Sequence, residues 1–278
     1  MRNESAQAPP IAPAGHRIDR QALVTRHDVL LTSYDPQEQL QVGNGSFALG
    51  IDCTGLQTFG GNTMSDWGWH TNPLPPNTRR EDFRLKSYDA QGRKVAYATD
   101  ATGQNALYTW LRENPHRFNL GRLGLRLFHR DGSAATLGDI TEIHQKLALW
   151  TGWVTSRFVF DGETVTVETC VHPGSDTVAV RIRSKLLGDK RLAVALDFPA
   201  ASPGTNGADW THPERHTTTW AASEERRIDF HRTLDETHYA VSLAWQGKAA
   251  LTEEKRHAFL LRPAPGQTLL EVSLRFSP

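Results

Sequence analysis

The stretch VTSRFVFDGETVTVETCVH, Val154–His172, decides the fold. Val154, Ser156, Phe158 and Phe160 alternate with residues of another character, the two-residue period of a strand with one buried face. Asp161-Gly162 then supplies the positive φ values of a tight hairpin turn, and Thr164–His172 resumes the alternation. A third run, DTVAVRIRS (Asp176–Ser184), follows almost at once. The chain therefore opens an antiparallel meander here.

The same pattern recurs in LGRLGLRLF (Leu120–Phe128), KRLAVALDF (Lys190–Phe198), HYAVSLAW (His238–Trp245) and TLLEVSLRF (Thr268–Phe276). Helical periodicity is almost missing from Val29 onward. A dozen or so strands do not remain one open sheet, because two stacked antiparallel sheets bury alternate side chains and expose fewer edges. The expected fold is all-β with little helix: a large two-sheet antiparallel β-sandwich forming one domain over residues 21–278. A chain of 278 residues is long enough to bury such a core. Residues 1–20, rich in Pro and Ala up to Gly15, read as a disordered arm.

Lys plus Arg and Asp plus Glu each number 31, so no global field attracts nucleic acid or an anionic membrane surface. A neutral partner is expected. The two cysteines, Cys53 and Cys170, sit in apolar runs and read as free thiols rather than a disulfide. No window approaches about eighteen consecutive apolar residues, and the N-terminus lacks a charged head followed by an apolar core. A cytoplasmic location is expected. Neither a metal nor a cofactor is expected: the histidines show no metal-ligand spacing, and Gly-rich phosphate loops are missing. The basic pairs Arg79-Arg80 and Arg226-Arg227 adjoin acidic residues and read as solvated surface.

Function is written most densely in Leu40–His70. Gly43-Asn44-Gly45 fits a tight turn bare enough for a ligand to approach the backbone. Trp67-Gly68-Trp69-His70 stands in a proline-rich loop, Asn62–Asp82, expected to lie outside the sheets. Indole faces suit the C–H face of a pyranose, while Asn44, Asp66 and His70 can hydrogen-bond hydroxyls. One tryptophan, though not both, is expected to plug the end of the sandwich. Pro199–Pro213 is a second irregular stretch. Glycoside hydrolysis needs two carboxyl groups at a set separation. Asp52, Asp66, Asp82, Glu142 and Asp209 are candidates, but no spacing selects a pair, so no catalytic residue is assigned.

The run LQVGNGSFALGIDCTGLQTF (Leu40–Phe59) followed by WGWH (Trp67–His70) resembles the N-terminal region of the six-hairpin glycosidase superfamily, whose members join a β-supersandwich to an (α/α)6 barrel. GNGSFALG is similar to the corresponding segment of maltose-phosphorylase-like proteins and related α-L-fucosidases. The resemblance covers Arg26–His70 in its motifs and the remainder only in strand content. It implies a supersandwich of the galactose-mutarotase type, with Gly43, Asn44, Gly45, Trp67, Trp69 and His70 at the mouth of a helical barrel that carries the acid and base. The chain stops at RFSP, where the linker and barrel of such relatives begin, so a non-catalytic, sugar-binding domain of a glycoside hydrolase or phosphorylase is expected, with a helical partner in cis or trans. Two rivals remain. A self-sufficient mutarotase-like enzyme needs His70, His144 or His172 near a carboxylate such as Glu142 or Glu168. An interaction module without a ligand would use the tryptophans to dock a partner.

Overall fold

A computed structural model of the chain describes residues 18–278. Most of the proposed arm, residues 1–17, therefore lies outside the described residues; at its expected boundary Asp19 caps a short helix, Arg20–Thr25, by accepting from the Ala22 amide at 3.0 Å.

The dominant element is a nine-stranded antiparallel sheet. Its order is Val29–Leu31, Thr141–Ala148, Trp153–Phe160, Glu163–Val171, Thr177–Arg183, Leu269–Ser277, Thr237–Gln246, Arg227–Leu234 and Thr217–Glu224. The Val154–His172 hairpin forms as its sequence dictates. Phe160 pairs with Glu163, and Asp161 and Gly162 adopt φ of 49° and 78°, the double left-handed turn that the Asp-Gly pair permits. Phe158, Phe160, Val165 and Val167 point inward and are fully buried.

Facing it is a four-stranded sheet, ordered Ala249–Lys255, Ala258–Pro263, Leu192–Asp197 and Arg122–Leu127. Leu123, Leu125, Val194, Leu196, Phe259 and Leu261 project from it into the same core. Every residue of Leu192–Asp197 is buried, since its outer row consists of Ala193, Ala195 and Asp197 beneath neighbouring side chains. The two-sheet sandwich is thus the fold. Among the described residues only two α-helices occur, Arg20–Thr25 and Asn105–Glu113, and no helix is long and apolar enough to cross a membrane.

The N-terminal motif enlarges the smaller layer. Leu40–Gly43, Phe47–Ile51 and Thr63–Ser65 form a three-stranded sheet. The connecting loop splices it to the four-stranded one: the Gln57 amide donates to Leu123 O at 2.8 Å, and Gln57 Oε1 accepts from the Leu123 amide at 2.9 Å. Asp52 organises that loop. Its carboxylate accepts from the Thr54 amide and hydroxyl at 2.8 and 2.6 Å and from the Gly60 amide at 3.1 Å.

Two features depart from the sequence reading. The segment Asn62–Asp82 is only partly outside the sheets, because Thr63–Ser65 joins the three-stranded sheet and Trp69–His70 pairs with His116–Arg117. Strands this short have no alternation to read. Beyond them, residues 71–115 form an excursion carrying a small hairpin, Lys86–Ala90 with Arg93–Tyr97, and the helix Asn105–Glu113. Cys53 is buried and Cys170 half-buried, and both are free thiols; burial pushes the Cys53 thiol up to about 12.

Candidate functional site

The turn that joins Leu40–Gly43 to Phe47–Ile51 closes with the Asn44 amide donating to Phe47 O at 3.1 Å. Gly43 is required there because a Cβ would lie 2.3 Å from Phe47 O, and Gly45 because its φ is +98°. Asn44 holds the turn from both sides. Its Oδ1 accepts from the amides of Ser46 and Phe47 at 3.0 and 2.8 Å, while its Nδ2 donates to the carbonyls of His172 and Ser175 at 3.2 and 3.1 Å. With both amide hydrogens and both lone pairs engaged inside the chain, Asn44 acts as a clamp between the turn and the 172–177 loop.

Beside this turn is an open pocket of about 410 Å³, whose lining includes Gly43, Gly45, Met64, Asp66 and Arg117. Asp66 is exposed; its backbone amide is fixed on Ser46 O at 2.7 Å, so the side chain projects from an anchored position. Arg117 donates to Ser65 O and lays its guanidinium 4.2 Å from the centre of the Trp69 ring, a cation–π contact. Trp69 is 47% exposed. A carboxylate, a guanidinium and bare turn backbone thus line one pocket, with the Trp69 indole stacked beside it on Arg117.

The second tryptophan of the motif does something else. Trp67 packs against the core, 6.0 Å from the Tyr239 ring, and its Nε1 donates to Asp176 Oδ2 at 2.7 Å. It is the plug at the end of the sandwich, and Trp69 is the exposed member of the pair. His70 is buried at 2% exposure between His116 and Phe118. Its Nδ1 contacts Thr237 Oγ1 at 3.0 Å and its Nε2 lies 3.3 Å from Asp235 Oδ2. Burial lowers its pKa from the ordinary histidine value, with Asp235 pulling the other way. His70 locks the loop to the large sheet and does not reach the pocket wall formed by Asp66 and Arg117.

The remaining carboxylates are largely committed to structure. Burial raises the Asp52 pKa. Asp82 accepts from the Arg79 amide at 2.8 Å to cap a turn, and Glu142 sits with φ of 48° at a bulge in its strand pairing. Asp209 accepts from Thr211 at 2.7 Å and contacts His212 at 2.7 Å. Glu168 lies between Arg181 and Arg183, at 3.4 and 2.8 Å. Of the other two histidines, His172 bonds within its own turn and His144 is exposed on its strand. Of these three histidines, His70 is the one that meets a carboxylate, and its partner Asp235 is neither Glu142 nor Glu168. Sequence reasoning missed Arg117, Asp176 and Asp235, which arrive from distant strands and turns and carry no local signal.

Antiparallel sheets of nine and four strands enclosing one core define a large two-sheet β-sandwich. A protein described as a kojibiose phosphorylase, from the human microbiome, shares the fold over 91% of this chain with a TM-score of 0.55 and 9% identity. The chain spans about a third of that protein, 32% of its length. The alpha-galactosidase from Lactobacillus brevis overlaps 86% of this chain and 39% of its own, at 10% identity and a TM-score of 0.32. No family model matches the sequence, and no curated protein does.

Proposed function

We propose that this chain is the sugar-facing β-sandwich of a glycoside hydrolase or phosphorylase, non-catalytic by itself, which shapes a pocket for a neutral sugar or glycoside together with an (α/α)6 domain in cis or trans. The observation that carries this reading is the pocket beside the Gly43–Gly45 turn, where Asp66 and Arg117 offer an acceptor and donors within reach of the exposed Trp69. Opposite charges on those two residues favour a hydroxyl-rich ligand over an ion. The shared fold with a protein described as a kojibiose phosphorylase supports it.

The mutarotase-like alternative has one observation in its favour, the His70–Asp235 contact at 3.3 Å. Against it stands the burial of His70, which leaves no room for a sugar at the imidazole.

The test is titration of neutral mono- and disaccharides followed by chemical-shift perturbation, alongside assays of mutarotation and aryl-glycoside cleavage. One platform indole and a few hydrogen bonds, set against the entropy of association, give an expected Kd on the order of millimolar. Binding lost in Trp69→Ala, with no turnover by the parent chain, is the expected result. Turnover that disappears in His70→Ala overturns it in favour of the mutarotase-like reading.

A further inference from the structure

On the outer face of the four-stranded sheet, away from the pocket just described, lies a cavity of about 360 Å³. Its walls come from Arg122–Leu127, the irregular 199–213 stretch with Trp210, and the turn at Lys255–His257. Charge here is uneven. Of the cations, Arg126 is neutralised by Asp197 at 2.6 Å. The other acid, Asp209, already serves Thr211, His212 and Arg215. Arg122 and Arg256 have no carboxylate partner among the described residues.

Arg122 is the telling group. It is half-buried, its guanidinium lies 4.5 Å from the Trp210 ring centre, and its Nε is a buried donor without an acceptor. A desolvated guanidinium with an idle N–H is costly unless something accepts from it. Arg122, Arg256 and His216 line one space; Arg256 donates from Nη2 to His216 O at 3.3 Å and its Nε lies 3.1 Å from His257 Nε2, which leaves its Nη1 without an acceptor among the described residues. His216 Nδ1 accepts from the buried Arg232 at 2.8 Å, so its hydrogen sits on Nε2, for which the described residues supply no acceptor. His257 is held likewise: Thr218 Oγ1 donates to its Nδ1 at 2.7 Å, and its Nε2 donates to Pro213 O at 2.8 Å. Behind both rings, Arg232 adds a further positive charge with no acid beside it.

We propose that this cavity binds the anionic group of a small ligand, a phosphate or a carboxylate, with Arg122 as its principal partner and Arg256 and His216 Nε2 as supporting donors. A planar guanidinium presents paired N–H groups that match either oxyanion. The ring of Trp210, 40% exposed, offers a wall for the remainder of such a ligand. The site is independent of the sugar pocket and stands or falls separately.

The experiment is calorimetric titration of the full chain with inorganic phosphate, glucose 6-phosphate, glucuronate and glucose, at low and at raised ionic strength. Expected is saturable binding of at least one anion that weakens with salt, with glucose ineffective at the same site. Arg122→Gln should weaken that binding by about ten-fold or more, the loss of a charge-assisted hydrogen bond, and Arg256→Gln should weaken it by less, both with unchanged circular dichroism. Preference among the three anions identifies the source: sugar phosphate over inorganic phosphate means the sugar is read too, and glucuronate over both means a carboxylate. If no anion binds better than glucose, or if folded Arg122→Gln and Arg256→Gln both bind as the parent does, the proposal is overturned.

Discussion

The indole N–H of Trp67 and the carboxylate of Asp176 meet at 2.7 Å, joining the loop of the N-terminal motif to the turn before Thr177–Arg183 of the large sheet. The same oxygen accepts from Ser65 Oγ at 2.6 Å. One carboxylate thus fixes both the last strand of the small sheet and the tryptophan that seals the sandwich end. Replacing Asp176 by Ala should leave the Trp67 N–H unpaired and lower stability by about 2–3 kcal/mol, read as a reduced denaturation midpoint with a shifted tryptophan emission. A Trp69→Ala variant should change that midpoint by less than about 1 kcal/mol, because its ring is half in solvent.

The two glycines of the turn should respond differently. Alanine at position 45 meets open space and suffers only the left-handed φ, a cost of about 1–2 kcal/mol. Alanine at 43 places its Cβ against the Phe47 carbonyl, backbone that cannot swing aside, so about 3 kcal/mol is expected together with a reshaped pocket. Chemical denaturation of both variants measures the difference; equal losses would contradict the geometry.

Acid should destabilise the protein through His216. Burial, reinforced by Arg232, depresses its pKa to about 3 in the folded chain. The unfolded chain binds a proton near the ordinary value of about 6.5, so stability is fully present above that pH and declines as pH falls from it toward about 3. His70, His116 and His257, all lowered first by burial, act in the same sense. Thermal melts between about pH 7 and pH 4 should show a falling midpoint. A His216→Gln variant, which keeps an acceptor for Arg232 but cannot titrate, should show a shallower decline.

Arg232 is 1% exposed and donates to the carbonyls of Thr217 and Pro199, both at 2.9 Å, without a carboxylate. Arg232→Met should strand those acceptors and cost about 3 kcal/mol, while relieving the cation that helps to depress His216. Imidazole signals of His216 followed by NMR should then titrate at higher pH than in the parent chain. An unmoved titration would mean that burial alone holds the ring neutral.

Much of the fold was legible because strand alternation and turn chemistry are local. Asp161-Gly162 dictates a hairpin wherever it lies, and the alternating runs at Leu120, Lys190, His238 and Thr268 each became a strand because one face of every run had to be buried. The Gly43–Gly45 turn was equally readable, since its glycines answer to neighbours only a few positions away. The short strands at Thr63 and Trp69 and the helix Asn105–Glu113 were not. Two or three residues carry no period, and although Leu107, Trp110 and Leu111 share one face of that helix, nine residues are too few for its period to stand out in a strand-rich chain.

The site divides along the same line. Residue types alone placed a turn, two tryptophans and a histidine in one region of the chain, because composition and spacing survive without coordinates. Which tryptophan faces solvent, that Asn44 is spent on the 172–177 loop, and that His70 meets Asp235 rather than a sugar depended on partners more than a hundred residues away. The balanced total of 31 cations and 31 anions likewise concealed a local surplus at Arg122 and Arg256. Net charge is a sum over the chain, whereas a binding field depends on which charges folding brings together and which it leaves without a counter-ion.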